Sequence, residues 1–136
     1  MQRPNGSEEL TKLVIGLAMK VHRTLGPGFI EFVYRNAMIV ELRRANLPFE
    51  LEKPMKVGYE GVIVGEFSVD LFICDWLVLE LKAVSTLTKE HEVQVVNYLT
   101  ALKQPFGLLI NFGAPSLQYK RKYQRPQSTD SPDLKA

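Results

Sequence analysis

The fold turns on SVDLFICDWLVLELKAV, Ser68 to Val84. Two runs of strand-forming residues flank a break near Asp75, so the stretch reads as two strands joined by a tight turn. Along Leu77 to Lys82, alternation sends Leu77, Leu79 and Leu81 to one face and Val78, Glu80 and Lys82 to the other. A carboxylate and an ammonium thus stand side by side on a strand apolar enough to be central, where charge is costly unless paired or bound to an ion. Asp70, on the preceding strand, is as far from the turn as Glu80. If the turn folds the strands together, two carboxylates meet. Their repulsion calls for a divalent cation, and oxygen donors favour Mg²⁺ or Mn²⁺. Such an ion can orient a phosphate and activate a water, with Lys82 adding positive charge beside the reacting group. The plainer alternative is a Glu80–Lys82 ion pair with no catalytic part.

Outward from this hairpin, the texture predicts α-α-β-β-β-α-β-β. Glu8 to Leu25 carries an apolar stripe of period 3.6, with Ser7 as cap and Gly26 as stop. Gly26-Pro27-Gly28 turns the chain into a second helix, about Phe29 to Asn46, whose apolar positions include Val33, Ala37 and Val40. Strands follow at Phe49 to Val57, Val62 to Cys74 and Trp76 to Val84, joined as a meander. Pro54 suits an edge strand. Cys74 reads as a small buried strand residue. Thr88 caps a third helix to about Lys103, and Phe106 to Phe112 is a buried strand. A strand, helix and buried strand in succession make a right-handed crossover. Leu117 to Tyr123 is the last strand. The expectation is one domain over residues 7–123, an α/β fold with a mixed sheet flanked by helices, and a disordered polar tail over 124–136.

The helices contribute further candidates. Glu31, Tyr34 and Arg35 share a face of the second helix, and Gln94 and Tyr98 lie one turn apart on the third. Glu31 can join a metal directly or through water, while Gln94 and Tyr98 can hydrogen-bond phosphate or the attacking water. Basic residues gather at Arg35, Arg43 and Arg44 and at Lys120, Arg121, Lys122 and Arg125. Of these, Arg35, Lys120 and Arg121, together with Tyr34, are candidate phosphate contacts. Net charge is only +2, so the chain is not a broadly basic nucleic-acid coat. One cysteine excludes an internal disulfide, and His22 and His91 lack zinc spacing. No long apolar run and no signal-peptide pattern leave the expectation of a cytoplasmic protein without a membrane partner.

The string LGPGFIEFVYRNA, Leu25 to Ala37, with Gly28, Glu31 and Tyr34 three residues apart, resembles the signature of the GxxExxY proteins. These are small, mostly bacterial members of the PD-(D/E)XK nuclease superfamily. GEFSVDLFI, VLELKAV, EVQVVNYL and GLLINFG match in the same order, covering roughly Leu10 to Tyr123. The resemblance implies a restriction-endonuclease-like core. It implies Asp70, Glu80, the Leu81 backbone carbonyl and Glu31 as metal-site groups, Lys82 as the catalytic lysine, and Gln94 and Tyr98 as a further motif. The expected function is a Mg²⁺- or Mn²⁺-dependent phosphodiesterase hydrolysing nucleic acid, DNA above RNA, by metal-activated water, with homodimerisation left open. The alternative is a nucleic-acid or protein binding module of the same fold that cuts little.

Overall fold

A computed structural model describes residues 6–125. The elements are α1 (Gly6–Leu25), α2 (Glu31–Arg44), β1 (Phe49–Tyr59), β2 (Val62–Ile73), β3 (Leu77–Lys82), α3 (Lys89–Leu102), β4 (Phe106–Asn111) and β5 (Gln118–Tyr123), in the expected succession. The strands form a sheet in the order β1-β2-β3-β4-β5. It is mixed, because β3 and β4 run parallel while the other neighbours are antiparallel. The parallel pair follows from α3, which carries the chain from the end of β3 back to the start of β4. Helices α1 and α2 cover one face and α3 the other. Among the described residues, no helix is long and apolar enough to cross a membrane.

Local chemistry accounts for the element ends. Gly26 and Gly28 take positive φ (70° and 115°), which separates α1 from α2 at little steric cost. The Thr88 hydroxyl accepts from His91 N and Thr88 N donates to His91 Nδ1, closing a capping box at α3. Pro54 lies on β1, an edge strand, as its missing N–H requires.

Several expected details differ. Helix α1 begins at Gly6, so Ser7 lies within it rather than at its cap. Helix α2 is shorter than predicted and buries Tyr34, Met38, Ile39 and Leu42, while Val40 is half-exposed. Tyr34, Met38 and Leu42 recur every fourth residue and so outcompete the smaller apolar set for the core. Cys74 is buried but sits in the turn, not in a strand: Cys74 and Asp75 both have positive φ, and Trp76 N bonds Ile73 O at 3.0 Å. That two-residue geometry matches the twist of the flanking strands. The chain stays docked beyond Tyr123, since Gln124 N bonds Pro105 O and Arg125 Nη1 bonds Asn97 Oδ1. The rest of the expected tail, from residue 126, lies outside the described residues.

One irregularity positions the site. The β1–β2 hairpin is long, yet β2 pairs with β3 only at Leu71, Phe72 and Ile73. Beyond Leu71 the hairpin leaves the sheet as an arm. Side chains change face at the same point. Phe49, Leu71 and Ile73 pack toward α1 and α2, whereas Met55, Phe67 and Val69 pack toward α3. All six are odd-numbered and simple alternation would keep them together. The reversal falls between the pairs Leu51–Leu71 and Lys53–Val69, where Glu52 stands opposite Asp70 with φ of 49°. A non-glycine residue there costs on the order of 1–2 kcal/mol.

Candidate active site

Asp70 and Glu80 stand in the fork where β2 parts from β3. The ladder ends at Leu71–Leu79, and the next two hydrogen bonds are made by side chains. Asp70 N donates to Glu80 Oε1 at 2.8 Å, and Leu81 N donates to Asp70 Oδ2 at 2.7 Å. Each carboxylate thus satisfies a backbone N–H of the opposite strand that the splayed ladder would leave unpaired. As alternation predicts, Val78 packs on the α3 face and Leu77, Leu79 and Leu81 on the other, which turns Glu80 and Lys82 toward α3.

The electrostatics are adverse to ionised carboxylates. Glu80 is 5% exposed, and burial, then the Asp70 charge, push its pKa from 4.5 up to about 8. Burial also raises Asp70, against the Leu81 hydrogen bond and the Lys82 and Arg35 charges. Glu31 is raised by burial and by Asp70, with Lys82 and Arg35 opposing. Lys82 therefore acts on all three carboxylates, yet it forms no ion pair within 4 Å with any of them. Among the described residues no salt bridge joins Glu80 to Lys82, which sets aside the simple Glu80–Lys82 pair.

Helix α3 brings Tyr98 to the same neighbourhood. Its ring stacks on Phe67 at 4.2 Å between centroids. Burial raises its pKa, as do the Glu80 and Asp70 charges, while the Gln94 amide beside it acts in the opposite direction. Arg35, one turn after Glu31, donates from Nη1 to Glu52 Oε1 at 3.1 Å. Its Nε is sealed from solvent and, among the described residues, has no partner.

Other predicted contacts lie elsewhere. Tyr34 is fully buried, stacked on Phe112 at 4.7 Å, with its hydroxyl donating to Gly26 O at 2.6 Å and accepting from Phe29 N. It braces the Gly26–Gly28 turn and is not a phosphate contact. Lys120 and Arg121 are on β5, two strands from β3, opposite Leu109 and Leu108. Those partners pack on opposite sheet faces, so the two cations diverge. Arg121 borders a cavity of about 220 Å³ with Glu8 and Tyr123, on the face away from Glu80.

Two polar residues escaped sequence reasoning. Glu52 has no sequence signal, because a left-handed acidic residue in a strand has no pattern. Asn111 is fully buried inside an apolar run. Its Oδ1 accepts from Val84 N and Gly113 N, and its Nδ2 donates to Val84 O and Gln118 Oε1. Gln118 in turn accepts from Leu87 N. This network holds the loop that follows Lys82.

An all-oxygen pair, half-desolvated and facing a lysine across a strand fork, fits a hard divalent cation better than it fits solvent. Among the described residues, however, no three His, Cys, Asp or Glu side chains converge closely enough to hold an ion unaided. Two carboxylates with waters and a carbonyl suffice for an ion that keeps much of its hydration. Residues 8–125 match the model of the PD-(D/E)XK nuclease superfamily. The chain belongs to that superfamily. The superfamily is named for an Asp and an (Asp/Glu)-x-Lys, and the matched stretch contains Asp70 and Glu80-Leu81-Lys82. The crystal structure of SSO0001 shares the fold, with a TM-score of 0.55 at 17% identity over 88% of this chain. The chain spans 60% of that protein's length. No curated protein sequence is similar enough to serve as a relative. The PD-(D/E)XK domain is thus a restriction-endonuclease-like α/β fold with its acidic pair at the point where the sheet divides.

Proposed function

We propose that this PD-(D/E)XK protein is a divalent-metal-dependent phosphodiesterase that hydrolyses nucleic acid, DNA before RNA. One observation carries the reading: Glu80 is buried against the half-buried Asp70 beside Lys82, so Glu80 keeps its proton to about pH 8 unless a cation replaces it. Mg²⁺ or Mn²⁺ held by Asp70, Glu80, the Leu81 carbonyl and, directly or through water, Glu31 would supply Lewis acidity toward the phosphate and make water acidic. Lys82 would hold its ammonium beside the attacking water and the charge developing on the phosphoryl oxygens. Tyr98 and Gln94 orient phosphate or water from α3, and Arg35 binds a non-bridging phosphate oxygen from α2. Gly28, Glu31 and Tyr34 support membership in the GxxExxY proteins, with the tyrosine as a brace for the turn.

The test is a panel of labelled single- and double-stranded DNA and RNA incubated with Mg²⁺ or Mn²⁺. Lys82→Ala and Asp70→Ala should each lower cleavage by about 10³-fold or more while leaving the melting transition in place. Cleavage surviving both changes would sink the assignment. Among the described residues no three acids converge, which favours the second reading, a binding module that cuts little. Titration calorimetry separates the two: no Mg²⁺ or Mn²⁺ heat in wild type selects the module, whereas heat that Asp70→Asn abolishes selects the nuclease.

A further inference from the structure

Arg35 faces a choice of carboxylates and takes the outermost. Its charge acts on Glu31 and Asp70, yet its hydrogen bond goes to Glu52 at 3.1 Å. Glu52 stands opposite Asp70 at the point where both strands of the hairpin reverse their faces. Its left-handed backbone is strained, and its side chain is 64% exposed. An ion pair so exposed to water adds little stability and does not offset that strain. The guanidinium also remains under-used, since its Nε is buried with no acceptor among the described residues. The planar fork of a guanidinium suits an anion that accepts parallel hydrogen bonds, as phosphate does.

We propose that Glu52 is a built-in stand-in for the substrate's phosphate. In the free protein its carboxylate occupies Arg35, and a nucleic-acid phosphate entering beside Asp70 displaces it. The inference rests on the nuclease reading and names the group that regulates access to that site. Glu52 can leave without disturbing the core, because its side chain already faces water. Until substrate arrives it keeps Arg35 from pairing with Asp70, the carboxylate the reading needs for a cation. Glu52 is therefore a positioning residue and an internal competitor, and removing it strengthens binding.

The experiment is fluorescence anisotropy of short labelled single-stranded DNA, duplex DNA and single-stranded RNA with the full chain in EDTA, so that cleavage does not interfere. Glu52→Gln is expected to tighten binding about fivefold, the scale of one surface ion pair. Arg35→Ala should weaken it about tenfold and lower the salt dependence by about one phosphate contact. In the Arg35→Ala background, Glu52→Gln should give no gain. Glu52→Gly serves as a second variant, since glycine accepts the positive φ, and it should bind at least as tightly as Glu52→Gln while melting no lower than wild type. Unchanged or weaker binding by both Glu52 variants overturns the inference and leaves the nuclease reading intact. So does a gain that persists without Arg35, which would mean mere removal of negative charge. Wild type binding none of the three probes also overturns the inference, while the cleavage panel with Mg²⁺ or Mn²⁺ decides the nuclease reading separately.

Discussion

Asn111 and Glu80 are both buried polar residues on neighbouring central strands, yet they are buried on opposite terms. Asn111 is neutral, and its amide makes four hydrogen bonds to Val84, Gly113 and Gln118. Nothing about its surroundings asks for a further ligand. Glu80 accepts one backbone N–H and faces a second carboxylate, with Lys82 near but, among the described residues, in no ion pair. The first arrangement is a satisfied network that fixes a loop. The second is stable only with an added proton or cation. A buried polar group therefore marks structure when its bonds are complete, and a site when its charge is left over.

That contrast can be broken by substitution. Asn111→Ala strips four bonds at once and leaves the half-buried amides of Val84 and Gly113 without that acceptor, so a loss of about 3 kcal/mol or more is expected in urea unfolding. A loss under about 1 kcal/mol would mean that Asn111 is dispensable and the contrast false. Gly113→Ala probes the same loop without removing a polar group. A Cβ there would meet Val84 O at 2.3 Å and Val84 N at 2.5 Å, so the backbone after Lys82 must shift. We expect about 2 kcal/mol of destabilisation together with lower cleavage, because Lys82 is two residues from the displaced atoms. Full activity at reduced stability would show that the loop does not position Lys82.

Glu80→Gln runs the other way and is the smallest of the three. The folded state raises the Glu80 pKa from 4.5 to about 8, so it holds the proton more tightly than the unfolded chain does. Its contribution to stability is full below pH 4.5 and is lost as pH rises through about 8. Glutamine keeps an acceptor for Asp70 N and carries no charge. In EDTA the variant should match wild type near pH 5 and exceed it by roughly 1–2 kcal/mol near pH 9, while losing metal-dependent cleavage. A wild type whose metal-free stability is flat across that window would contradict the burial of a frustrated carboxylate.

Much of this site is legible in the chain because local periodicity is enough to read it. Alternation puts Glu80 and Lys82 on one face, the turn at Cys74 and Asp75 pairs Asp70 with Glu80, and Thr88 starts the helix that carries Gln94 and Tyr98. The tertiary structure alone decided how far each group stands from the next. Tyr34 shares the helical neighbourhood of Glu31 but turns into the core, because its ring finds Phe112 and its hydroxyl finds Gly26 O. Lys120 and Arg121 are adjacent in sequence and separate across the sheet. Glu52 enters only through a backbone reversal that no hydrophobic pattern records. A sequence specifies which residues share a face, since that depends on bonds a few residues long. Whether a carboxylate meets a backbone N–H, an arginine or another carboxylate depends on where strands fork and helices dock, and the fold as a whole sets those distances.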